Sequence, residues 1–149
     1  MARKHNSYAP QLLSWVDIAR GAAAGGGLLL LSGIVLGYLE GEVLESNEFR
    51  FGVFLLQLVA FSIAGAIAGY GMFDRPVLSG ILAAVGAVLG WLPIRAVIWW
   101  LNQRDSGYAL ISEQGISLSA YVSAFGLSVV VGATASIIGA GIHSWKSGY

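Results

Sequence analysis

The chain has 149 residues, 56% of them hydrophobic and 11% charged, with a formal net charge of zero and a mean hydropathy of +0.73. Soluble domains carry roughly 25% charged residues, and a fold this small has too little interior to hide so much apolar side chain, so lipid is the expected solvent for most of it. Neutrality without a basic patch argues against nucleic acid as a partner, and the lack of cysteine excludes disulfides, thiolate metal sites and cysteine nucleophiles.

The opening MARKHNSYAPQLL is basic, but no clean small-x-small cleavage site follows its apolar run, so residues 1–20 read as a retained cytoplasmic tail. Within it Leu12, Leu13, Trp15, Val16 and Ile18 are spaced as in a short amphipathic helix lying on the membrane surface. Asp17 and Arg20, three residues apart, are placed to pair or to stand solvated.

A bilayer core requires about 20 apolar residues per helix, and four stretches meet that length, at about 21–39, 51–73, 77–100 and 116–142. They are apolar on every side, so length rather than periodicity identifies them. The predicted fold is an all-α, four-transmembrane-helix bundle forming a single membrane domain over 1–149. An acidic loop at 40–50 carries Glu40, Glu42, Glu45 and Glu48; a solvated loop is preferred there to a cation site or a partner-docking loop, since no calcium-loop geometry is written into it. Asp74-Arg75-Pro76 makes a tight turn, with Pro76 suited to the first turn of the third helix. Residues 101–115 form the longest polar connection.

Lys and Arg near the span ends set the orientation. Arg3, Lys4, Arg20, Arg75 and Lys146 fall on one side, and Arg50, Arg95 and Arg104 on the other. This bias predicts cytoplasmic termini, and the expected location is a plasma (inner) membrane of prokaryotic type. Tyr38, Trp91, Trp99 and Trp100 are then expected as interfacial anchors on the outer side.

GIVLGYL at 33–39 returns as GAVLGWL at 86–92. Gly33 and Gly37, like Gly86 and Gly90, are four apart and share a helix face, the spacing that lets helix backbones approach closely in lipid. Gly21 and Gly25, Gly65 and Gly69, Gly132 and Ser136, and Ala135 and Gly139 repeat it. Two readings follow: a duplicated helical hairpin related by an axis along the membrane normal, or small-residue seams recurring as they do in any compact bundle. The second is preferred.

Polar groups within the spans are few. Arg95 lies about 27 Å along the third helix from Val77, at 1.5 Å per residue, which places it near the far edge of the core as a lipid-phosphate or anion contact rather than a pore residue. Pro93, just before it, is expected to bend the helix. Gln57, Ser128 and Thr134 are the candidates for a polar path, if one exists. No Asp, Glu or Lys falls within a span core, His5 and His143 are the only histidines, and no nucleophile triad or phosphate loop is visible. Catalytic, metal and cofactor sites are therefore expected to be absent. The leading functional expectation is a non-catalytic scaffold or accessory subunit, packing with itself or with other membrane subunits. The alternatives are a small oligomeric channel or facilitator and, third, a lipid-headgroup enzyme.

Overall fold

A computed structural model describes residues 14–39, 46–71, 75–104 and 118–148. It contains four helices, α1 (Trp15–Leu39), α2 (Ser46–Gly71), α3 (Pro76–Arg104) and α4 (Leu118–Ser147), each long and apolar enough to cross a bilayer. The chain is an integral membrane protein built as a bundle of four spans. With an even number of crossings, α1 begins and α4 finishes at the same end, termed proximal below; the opposite end is distal.

Local chemistry fixes the helix ends. Ser14 caps α1: the Asp17 N–H donates to its carbonyl oxygen at 3.1 Å, and the Ser14 hydroxyl donates to Asp17 Oδ2 at 2.6 Å. Helix α1 therefore runs unbroken from Trp15, six residues before the span expected at 21–39, and residues 15–20 are its first turns rather than a separate surface helix. The remainder of the expected tail lies outside the described residues. Pro76 opens α3, where its missing N–H costs nothing, and the Ser79 N–H donates to the carbonyl of Arg75. Helix α3 remains helical through Pro93 as far as Arg104. Helix α4 continues five residues past the expected limit and ends at Gly148, whose φ of 73° is the left-handed cap conformation that glycine adopts without strain.

Helices α2 and α3 form the central pair, with α1 and α4 docked in the creases on either side of it; among the described residues α1 and α4 do not meet. A two-fold exchanging the hairpins α1–α2 and α3–α4 would map the α2–α3 contact onto an α1–α4 contact. The second contact is missing, so the packing lacks the hairpin symmetry that the repeated heptapeptide suggested.

The core changes in character along its length. In the proximal half it is built from Ala64, Ala68, Ser79, Ala83 and Ala84, with Ser136 on α4. Toward the distal side Leu29, Phe61, Val88 and Trp91 take over. Ile18 is buried at the proximal end and Ala124 toward the distal end, so the shift from small to large residues is not complete. On the outside, Leu31, Val35, Phe51, Val97, Val130 and Ile138 are exposed, a wall suited to acyl chains rather than water.

Candidate functional site

The most developed feature is the proximal seam, where backbone meets backbone. On α4, Gly132 and Ser136 lie in the crease between α2 and α3. A β-carbon on Gly65 would stand 2.5 Å from the Gly132 carbonyl oxygen, and one on Gly69 would strike the Ser136 carbonyl. From α3, Gly80 faces the same two residues, so that a β-carbon on Gly132 would lie 2.7 Å from the Gly80 carbonyl oxygen and 2.7 Å from the Ala84 Cβ. One turn further, Gly139 presses on the carbonyl of Ala66.

Helix α1 repeats the arrangement in the opposite crease. A β-carbon on Gly25 would stand 2.9 Å from both the Ala60 carbonyl oxygen and the Ala64 Cβ, and 3.3 Å from the Ala87 Cβ. Gly21 faces the Ala64 carbonyl and Ala83. Helices this close gain dispersion along the whole contact, and their glycine Cα–H groups come within reach of facing carbonyls. In hydrocarbon, where lipid tails are as apolar as leucine, such contact is a principal source of association.

The heptapeptide glycines stand apart from this seam. Nothing comes within 4 Å of a β-carbon built on Gly33 or Gly90, and one on Gly86 would meet only the Ala22 Cβ at 3.2 Å. Among the described residues, the expected packing at Gly33 and Gly90 is not made. Helices α1 and α3 converge through residues 21–26 and 83–87, and beyond that level Leu29, Val88 and Trp91 fill the space between elements. The surroundings of Gly37 lie outside the described residues.

Trp91 also differs from expectation. It is buried as part of the core cluster, 7% exposed, rather than standing at the interface as an anchor. It lies in one buried cluster with Leu29, Phe61 and Val88, and apolar burial suits an indole as well as an interface does. The side chains of Tyr38, Arg95, Trp99 and Trp100 lie outside the described residues.

Two of the three candidates for a polar path, Ser128 and Thr134, diverge around α4. Ser128 is buried and its hydroxyl donates to the Phe125 carbonyl at 2.8 Å. Thr134 is exposed and donates to the carbonyls of Val130 and Val131 at 3.0 Å. Six residues apart, they lie roughly 120° from each other around the helix. Gln57 is half-buried on α2. Both hydroxyls thus serve their own helix backbone. Ser79 is different: besides the Pro76 carbonyl at 2.8 Å, it reaches the Ala68 carbonyl of α2 at 3.3 Å, a polar link between the central helices.

At the proximal end, Asp17 lies against Gly71 of α2, and its Oδ1 is 3.5 Å from an Arg20 guanidinium nitrogen. The Tyr70 and His143 rings meet edge to face with centroids 4.9 Å apart, and His143 Nδ1 is buried with no hydrogen-bond partner. Among the described residues, no three metal-binding side chains stand together.

Sequence reasoning passed over Ser79, Gly80, Ala60, Ala64, Ala83 and Ala87. The signal was present as small residues at spacings of three and four, but pairs anchored on a glycine do not include those made of alanine and serine alone, such as Ala60 with Ala64 and Ala83 with Ala87. No protein-family model, curated protein or solved structure matches this chain.

Proposed function

We propose that the protein is a non-catalytic membrane subunit, a scaffold or accessory component that assembles with other membrane proteins or with further copies of itself. The observation that carries this reading is the contrast between two sets of glycines. Gly21, Gly25, Gly65, Gly69, Gly80, Gly132 and Gly139 are used to fold the chain, whereas Gly27, Gly33, Gly90, Gly126 and Gly141 have nothing within 4 Å of a built β-carbon. A glycine inside a helix costs about 1 kcal/mol relative to alanine in water, and for the second set no contact among the described residues offsets that cost. Close approach of another membrane helix does so. Around Gly33 the exposed Leu31, Ile34 and Val35 supply the apolar surface for such a contact, as Leu89 and Ile94 do around Gly90.

The same reading places the protein in a prokaryotic plasma membrane with its proximal end toward the cytoplasm, supported by the Lys and Arg bias of the sequence. Isolation in mild detergent from native membranes tests it. A partner, or a second copy, is expected at fixed stoichiometry. Gly33→Leu with Gly90→Leu is expected to abolish that association while the chain stays folded. A lone monomer in the wild type, or an association indifferent to both substitutions, contradicts the proposal. Solute flux through liposomes carrying the purified chain favours the channel instead.

A further inference from the structure

The proximal end displays groups that packing does not use. Trp145, in the last turns of α4, is 81% exposed, and Trp15, in the first turn of α1, is 66% exposed. Indoles so placed belong to the headgroup zone of a bilayer. At the same end stand three exposed cations: Arg20 on α1, paired at 3.5 Å with Asp17 yet 71% exposed, Arg75 just before α3, and Lys146 in the last turn of α4. Asp17 is the one carboxylate among the described residues at this end, and it is turned inward. Its side chain is 24% exposed, against 71% for Arg20, and it accepts the Ser14 hydroxyl.

The neutrality of the chain conceals a separation of charge. Segments that join the proximal end carry Arg3, Lys4, Arg20, Arg75 and Lys146 against Asp17 and Asp74. Those that join the distal end carry Arg50, Arg95 and Arg104 against Glu40, Glu42, Glu45, Glu48, Asp105 and Glu113. By sequence, the segments joining the proximal end are net positive and those joining the distal end net negative.

We infer that the proximal rim is a binding surface selective for anionic phospholipid, with Arg20, Arg75 and Lys146 engaging headgroup phosphates and Trp15 and Trp145 bracketing them at the interface. Two observations select a lipid over a soluble anion. The cations border an exposed apolar wall that includes Val16, Val77, Leu78 and Ile142, so an acyl chain and a phosphate are accommodated by one molecule. The indoles mark that border as the depth at which headgroups lie. Basic residues near a membrane surface attract anionic lipid with about 1 kcal/mol each, roughly fivefold per residue.

The test measures association of the full chain with fluorescent phosphatidylglycerol and phosphatidylcholine of identical acyl chains, in mixed micelles. The wild type is expected to prefer phosphatidylglycerol by at least roughly fivefold, and to lose that preference near 1 M salt, where the Debye length is about 3 Å. The combined Arg20→Gln, Arg75→Gln, Lys146→Gln variant is expected to bind both lipids equally. Equal binding by the wild type, a preference that persists in the folded variant, or a preference unmoved by salt overturns the inference. Displacement of phosphatidylglycerol by millimolar inorganic phosphate overturns the choice of lipid as ligand. Should the triple variant fail to fold, the wild-type salt titration decides.

Discussion

The Asp17 carboxyl of α1 occupies the space that a β-carbon on Gly71 of α2 would fill, with Oδ2 2.5 Å and Cβ 2.8 Å from that position. The end of one helix is thereby seated on the first turn of another, and a side chain otherwise read as half of a surface ion pair becomes a packing element. The Arg20 pairing itself adds little, since such pairs are worth about 0–1 kcal/mol in water.

Gly71→Ala is expected to push the carboxyl aside and weaken its bond from Ser14, at a cost on the order of 1 kcal/mol. In an Asp17→Ala background the same change is expected to cost less, with a coupling of at least about 0.5 kcal/mol. Some cost persists because position 17 retains its Cβ. A double-mutant cycle on reversible unfolding in micelles measures this, and additive effects would remove the contact from the account.

Ser79 is fully buried and offers one proton to two carbonyls, the nearer in its own helix. Ser79→Ala is therefore expected to cost no more than about 0.6 kcal/mol, the average for hydrogen bonds between membrane helices. Ser79→Val, which forces extra atoms between α2 and α3, is expected to cost about 1–3 kcal/mol. The same unfolding measurement ranks the two, and a reversed order would show that the hydroxyl, rather than the tight fit, holds these helices.

Phe61 has no exposed surface and is among the largest side chains fully enclosed in the core. Phe61→Ala in a soluble protein costs about 3–5 kcal/mol through lost transfer from water and the cavity left behind. In a bilayer the separated helices keep their side chains in hydrocarbon, so the transfer part falls away and about 2 kcal/mol is expected. Unfolding free energies in micelles of known apolar thickness check the figure.

Gly126 sits on the exposed side of α4 with nothing near it. Gly126→Ala is expected to leave the bundle unchanged or stabilise it by up to about 1 kcal/mol, the propensity difference measured in water. A loss of stability in the isolated chain, read by the same unfolding assay, would reveal a contact at Gly126 that the structure does not contain.

The four spans were legible because length and apolarity decide them and lipid forbids most alternatives. Where the helices touch was only half legible. Gly65, Gly69, Gly132, Ser136 and Gly139 carry the small-residue spacing and lie in the seam, yet Gly33 and Gly90 carry it equally well and do not. Spacing names a face; it does not say which neighbour, if any, that face meets. That choice depends on which helices the whole bundle brings together, a three-dimensional balance that no short window of sequence records. Trp91 was misplaced for a related reason, since an indole near a span end suits an interface and a buried core alike. The start of α1 was legible in principle: Ser14 and Asp17, three apart, form a helix-capping pattern just ahead of the long hydrophobic run.

The central claim is that proximal backbone contact holds this bundle together. Unfolding of Gly65→Leu and Gly33→Leu, compared side by side in the same lipid mimetic, tests it most directly. Gly65→Leu is expected to lose about 3 kcal/mol or more, because the Gly132 backbone cannot yield to a side chain, while Gly33→Leu stays within about 0.5 kcal/mol of the wild type. Equal effects, or a stable Gly65→Leu, would contradict it.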